Sequence, residues 1–224
     1  MKLNIKKLLF SFYLQRELRS LKEILKYPFW KIKRKTNVLP DNHLYKKRRI
    51  RNMQKKHNFQ VFIETGTFYG QMVKSVIPYF DKVISIEIFE PLFLLNKKAF
   101  KKNKNVSIHF GDSSKVLNSI LNSDMKSVLY WLDGHYSGEG TGLGDIVSPI
   151  INEIEIIMSK NIEKYCIIID DLRLFTNEDG YPSEESVINI VKQKKPNITI
   201  FKDNDALILP VSYTHLTLPT TPYV

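Results

Sequence analysis

From residue 59 onward, short apolar runs alternate with longer stretches in which apolar side chains return at helical spacing. VFIE reads as a strand, and YGQMVKSVIPYF as a helix whose end falls near Pro78. KVISIE is the second strand and PLFLLNKKAFKKN the second helix, opened by Pro91. NVSIHF follows as a strand, then SSKVLNSILNS as a helix capped by Asp112 or Ser113. SVLYWLD is the fourth strand, SPIINEIEIIMSKNI a helix, and YCIIIDD the fifth strand. SEESVINIVKQK has a capping-box-like start at Ser183, and NITIFKDNDALIL reads as two short strands around Asp203-Asn204-Asp205. This alternation predicts parallel βαβ units in a doubly wound α/β sheet. CIII and VLYWL are apolar throughout, as strands covered on both faces are. The last two strands lie too close in sequence for a crossover helix, which predicts an antiparallel pair.

The first 58 residues follow a different pattern. Leu14, Leu18, Leu21 and Leu25 recur at helical spacing with Lys and Arg between them, which predicts a basic amphipathic helix within 1–35. Residues 36–58 contain Pro40 and HLYKKRRIRNMQKKHN, read as a basic linker and a helix leading into the first strand. Its run Lys46-Lys47-Arg48-Arg49 is expected on a solvated face. Charge sharpens the division. The formal net charge is +11, yet residues 1–58 hold 18 Lys/Arg against 3 Asp/Glu, while the remainder holds 16 against 20. The basic excess belongs to the N-terminal segment, which argues against nucleic acid as a partner of the domain at 59–210. The first helix is expected to pack on that domain or on a partner subunit of a homo-oligomer, or to lie on an anionic membrane surface.

Size and composition narrow the setting. The chain of 224 residues can bury one core and still carry an appendage. No run approaches the ~20 continuous apolar residues of a spanning helix. LLFSFYL is short and has no small-residue cleavage site after it. Cys166 is the single cysteine, so no internal disulfide is possible. These features predict a cytoplasmic protein, with the inner membrane face as a peripheral location. Residues 211–224, VSYTHLTLPTTPYV, have no core pattern and resemble translated adaptor sequence, so a non-native tail is expected there.

Chemistry concentrates where the predicted strands end. In an open α/β sheet, ligands bind outside the carboxyl ends of the strands. The first strand ends at Glu64, before Gly66 and Gly70; the second ends at Glu87; the third leads to Gly111-Asp112-Ser113. The fourth ends at Asp133, before Gly134-His135, and the fifth at Asp170-Asp171. Five strands thus deliver acid to one edge. Glu64-Thr-Gly66-Thr-Phe-Tyr-Gly70 is not the G-x-G-x-x-G spacing of dinucleotide folds, and the Glu64 charge opposes a phosphate at the turn. It suits a cationic ligand. An acid at the end of the second strand can take both hydroxyls of a ribose, and Asp112 stands where an adenine amino group can be bound. A donor with ribose, adenine, a positive amino-acid end and no phosphate is S-adenosylmethionine.

The motifs FIETGTFYG, VISIE, HFGDSSKVL, LYWLDGHYSG and CIIIDD, in this order, resemble the class I S-adenosylmethionine-dependent methyltransferases. The resemblance covers about residues 40–209 and looks closest to a bacterial group with FIETGT-x-x-G, a DGHYSG loop and an IDD strand end. It implies a Rossmann-like doubly wound seven-stranded sheet with its last strand antiparallel. Glu64, Thr65, Gly66 and Gly70 would form the turn under the methionine part, Glu87 would hold the ribose, and Asp112 with Ser113 the adenine region. Asp133, Asp170 and Asp171 resemble the Mg2+ ligands of metal-dependent sugar O-methyltransferases, with His135 as the base beside Asp133. Those enzymes usually carry Asp at the position of His135, so two roles stay open for it, base and substrate contact, and the metal stays open with them. The resemblance implies O-methylation of a sugar or glycan-related hydroxyl, with a small-molecule or saccharide acceptor, in polysaccharide biosynthesis. GHYSGEGTGLGDIVSP, with five glycines from Gly134 to Gly144, reads as a loop able to close over substrate. Tyr136 and Tyr181-Pro182 could stack on a sugar ring. The alternatives are an NAD-dependent oxidoreductase and a catalytically idle scaffold at a membrane surface.

Overall fold

Strand burial follows the apolar runs. The computed structural model describes residues 5–34, 39–122, 124–134 and 147–212. Within them, β1 (Val61–Thr65), β2 (Lys82–Glu87), β3 (Val106–Phe110), β4 (Ser127–Leu132), β5 (Lys164–Ile169), β6 (Phe201–Asp203) and β7 (Ala206–Ser212) form one sheet. Its order is β3-β2-β1-β4-β5-β7-β6. The first five strands pair in parallel, and β7 lies antiparallel between β5 and β6. The expected α/β sheet with its last strand antiparallel is the one observed. Val211 and Ser212, expected in the tail, continue β7 because Tyr165 and Lys164 extend the ladder opposite them. The remaining tail residues lie outside the described ones.

Period-2 alternation sends neighbouring side chains into two cores. Ile63, Ile84, Tyr130, Ile167 and Leu209 face one side, covered by α5 (Ser113–Ile120), α6 (Ile150–Ser159) and α7 (Glu184–Lys194). Phe62, Val83, Leu129, Trp131 and Ile168 face the other, covered by α2 (His43–His57) and α3 (Gln71–Val76). Each such fully buried side chain stabilises the fold by about 1.5–3 kcal/mol, which is why the parallel strands dictate the centre of the molecule. α4 (Glu90–Ala99) packs beside β2 and β3, and α1 (Ile5–Lys33) packs on α2 and α4.

Two helices differ from expectation. α3 stops at Val76 and gives way to a 3₁₀ turn over Ile77–Tyr79, because Pro78 has no N–H to continue the ladder. In α2 the basic run is not a solvated face. Arg49 is buried and pairs with Asp41 at 2.5 Å and Asp203 at 2.8 Å. Lys46 points inward as well, while Arg48 is exposed. Lys46, Arg49, Ile50, Met53 and His57 share one stripe of the helix. The stripe is charged where it overhangs the acidic sheet edge and apolar where Ile50 and Met53 meet the sheet.

α1 has two faces of its own. Phe12 and Arg16 are buried, and Glu23 receives the His43 amide at 3.0 Å. On the opposite side Phe10, Leu14, Leu18, Leu21, Leu25, Phe29 and Ile32 are 48 to 72 % exposed. No helix among the described residues is long and apolar enough to cross a membrane.

Candidate active site

The turn after β1 is built on left-handed backbone. Gly66 has φ +84°, and a Cβ there would lie 2.5 Å from the Asp133 carbonyl oxygen, so only glycine fits. Phe68 holds φ +50°, a strained value for an aromatic residue. Two groups fix it: Glu87 accepts the Phe68 amide at 2.8 Å, and Asn96 donates to the Phe68 carbonyl at 2.6 Å. Glu87 also accepts the Phe89 amide at 2.8 Å. Burial raises the Glu87 carboxyl above its ordinary range, against four backbone amides that lower it. Glu64 is fully buried on β1 beside Ser85 of β2, whose hydroxyl donates to it at 2.6 Å. Burial pushes its carboxyl well above the usual range, Ser85 opposes the rise, and Asp133 and Glu87 add to it.

The ends of β1, β3 and β4 converge on a carboxylate the sequence reading missed. Asp112 caps α5, accepting the Ser114 amide at 2.9 Å and the Ser114 hydroxyl at 2.6 Å. Its neighbour Ser113 is buried and turns with Thr65 toward Glu153 of α6. Thr65 Oγ1 also accepts the Asp133 amide at 3.2 Å. Glu153 is 1 % exposed, and its Oε1 lies beside Gly134 without a hydrogen-bond partner. Burial, first, raises its pKa to about 7; Ser113 and Thr65 pull the other way, and Asp112 and Asp133 add to the rise. The signal was present: Ile150, Ile154 and Ile157 form the inward stripe of α6, and Glu153 falls on it.

Asp133, Asp170 and Asp171 come together as expected, with one oxygen of each within 4.8 Å of the others. A cation already stands among them. Lys46 Nζ bonds Asp170 Oδ2 and lies 3.2 Å from Asp171 Oδ1, and Arg173 reaches the same Asp171 oxygen at 2.8 Å. Burial alone would lower the Lys46 pKa, but Asp170, Asp133 and Asp171 together raise it, so the ammonium stays charged. Asp170 Oδ1 is buried without a hydrogen-bond partner. Lys46 was missed because the two acids it bonds, Asp170 and Asp171, lie more than a hundred residues away in sequence. His135 and Tyr136 lie outside the described residues. Tyr181 packs edge-on against Phe175, with Asp171 and Asp133 near enough to raise its pKa after the burial that dominates.

A cavity of about 580 Å³ opens beside this cluster, between α1, α2 and the first residue of α3. Gln15, Arg19, Lys22, His43, Lys46 and Gln71 line it. Burial lowers the His43 pKa to about 3, with Lys47 and Lys46 adding to the effect, so the imidazole is neutral. Its Nε2 is buried without a hydrogen-bond partner.

No protein-family description matches this sequence, and no characterised protein matches it in sequence. Solved structures do match in fold. An O-methyltransferase from Bacillus cereus, in complex with S-adenosylhomocysteine, superposes with a TM-score of 0.57 at 14 % identity, covering 86 % of this chain and 90 % of that one. A methyltransferase from Podospora anserina bound to S-adenosylhomocysteine gives 0.54 at 11 % identity, covering 80 % and 84 %. An O-methyltransferase of tomaymycin synthesis from Streptomyces achromogenes, in complex with S-adenosylmethionine, gives 0.53 at 10 % identity, covering 79 % and 82 %. This chain shares the Rossmann-like fold of those three proteins.

Proposed function

We propose that this protein is a class I S-adenosylmethionine-dependent methyltransferase acting on a hydroxyl of a sugar or glycan-related acceptor. One observation carries the reading. Two buried carboxylates, Glu64 and Glu87, flank a left-handed glycine turn on neighbouring strands of a sheet with this order. A desolvated carboxylate at the turn disfavours a phosphate and favours the positive donor, while Glu87 ends the neighbouring strand where ribose hydroxyls would be held. Asp112 and Ser113 flank the adenine region. The methyl group would pass in line to an acceptor hydroxyl, with orientation supplying most of the rate and His135 taking the proton beside Asp133. The acceptor enters the cavity at Lys46. Its lining, polar at Gln15, His43 and Gln71 and cationic at Arg19, Lys22 and Lys46, suits a hydroxyl-rich ring better than a flat apolar one. The finer expectation of Mg2+ at Asp133, Asp170 and Asp171 meets Lys46 in that place.

Calorimetry tests the donor site. S-adenosylhomocysteine is expected to bind and NAD not to, with affinity falling about tenfold or more, ~1.4 kcal/mol, in Glu64→Gln and in Glu87→Gln. Binding of NAD alone would return the site to a dinucleotide. Methyl transfer to a panel of saccharides then names the acceptor.

We also propose peripheral association with an anionic membrane surface through α1. The exposed apolar stripe from Phe10 to Ile32 supports it, together with exposed Lys22 and Lys26 on its flank. A homo-oligomer through the same stripe would bring two basic helices face to face.

A further inference from the structure

We propose that Lys46 is the resident cation of the Asp133, Asp170 and Asp171 cluster, so that the site works without a divalent metal. The geometry of the three acids alone matches a metal site: converging carboxylates at the ends of adjacent strands, with the buried Asp170 Oδ1 still lacking a partner. What changes the reading is α2. Its inward stripe delivers Lys46 between Asp170 and Asp171, and Arg49 one turn on is anchored by Asp41 and Asp203. An ion that reached Asp170 Oδ2 and Asp171 Oδ1 at the ~2.1 Å of Mg2+ would occupy the volume of the ammonium. Arg173 on Asp171 leaves that oxygen with two cationic donors already. Among the described residues, the charges facing the site include Asp133 from β4, Asp170 and Asp171 after β5, Arg173 just beyond them, Lys46 from α2, and Glu64 and Glu153 on the far side of Asp133.

The chemical use of this cation rests on the methyl-transfer reading; its presence does not. Lys46 lines the cavity; on that reading its ammonium would face the acceptor hydroxyl as the oxygen gains negative charge in attacking the methyl group. A fixed monovalent donor there does part of the work of a Lewis acid and cannot be chelated.

Paramagnetic resonance of Mn2+ tests the proposal without any activity. The free-ion signal is expected to persist when Mn2+ is mixed with the wild-type protein, and to fall by one equivalent with Lys46→Met, whose integrity is checked by a cooperative thermal melt. One equivalent of Mn2+ taken up by the wild type and lost in Asp170→Asn would overturn the proposal. So would a folded Lys46→Met protein that takes up no Mn2+, since the acids would then be no cation site. Where Lys46→Met does not fold, the wild-type titration decides alone. If S-adenosylhomocysteine fails to bind while the Mn2+ results hold, the methyl-transfer reading falls and the resident cation stands.

Discussion

Glu153 and Glu64 are carboxyl groups placed where burial outweighs their hydrogen bonds. For Glu153 the sign is definite. The folded pKa of about 7 stands above the ordinary 4.5, so the folded state holds its proton more tightly. Raising the pH therefore costs stability between those two values and nothing further above them, on the order of 3 kcal/mol in all. Glu153→Gln keeps the shape and removes the titration. Thermal melts should show it more stable than wild type at pH 8 and the gap closing toward pH 4.5. Glu64 makes a separate statement about the donor. Burial pushes its carboxyl well above the usual range, with Ser85 opposing and Asp133 and Glu87 adding to the rise. A sulfonium ligand favours the ionised form, so binding should release a proton and strengthen as pH rises toward the raised pKa. Calorimetry of S-adenosylmethionine in buffers of different ionisation enthalpy measures that proton, and Glu64→Gln should abolish it. Equal heats across buffers for the wild type would mean that Glu64 does not face the donor. The positions of Glu64, Glu87 and Asp133 could be read in the sequence, since each ends an apolar run. Glu153 sits inside a helical run, where an acid is visible only once the stripe is drawn.

At the scale of elements, the strands were legible because burial on both faces leaves an unbroken apolar signature. The N-terminal helices were legible only as helices. Sequence shows that α1 is basic and amphipathic; the structure shows that a second face, with Phe12 and Arg16, is the one used for packing. The leucine stripe that defines the amphipathicity is left outside. This makes lipid capture testable. Near an anionic surface each of Lys22 and Lys26 contributes about 1 kcal/mol. Sedimentation with anionic vesicles should therefore show about thirtyfold weaker capture for Lys22→Ala/Lys26→Ala, loss of capture for Leu18→Glu/Leu25→Glu, and little capture by neutral vesicles. Wild-type protein that ignores anionic vesicles would leave the stripe without this partner.

For the whole molecule, contacts between distant parts of the chain decide what local pattern could not. The run Lys46-Lys47-Arg48-Arg49 looks uniform in sequence, yet two of its members serve acids near the other end of the chain. Arg49 joins Asp41 to Asp203, and Tyr45 donates to Asp203 at 2.6 Å, so α2 fastens the β6–β7 hairpin to the N-terminal segment. Removing one side of a buried pair strands the other, at a cost of about 3–5 kcal/mol. Arg49→Met should accordingly lower the melting temperature by about 10 °C, at roughly 2–4 °C per kcal/mol for a chain of this size. Its neighbour supplies the control. Arg48 is exposed, with the Tyr27 hydroxyl at 2.6 Å, and Arg48→Met should change stability by less than about 1 kcal/mol. Melting curves for the two variants side by side decide the matter: equal shifts would show that α2 does not turn its charges inward, and with Arg49 freed, Lys46 would lose its hold on the acid cluster.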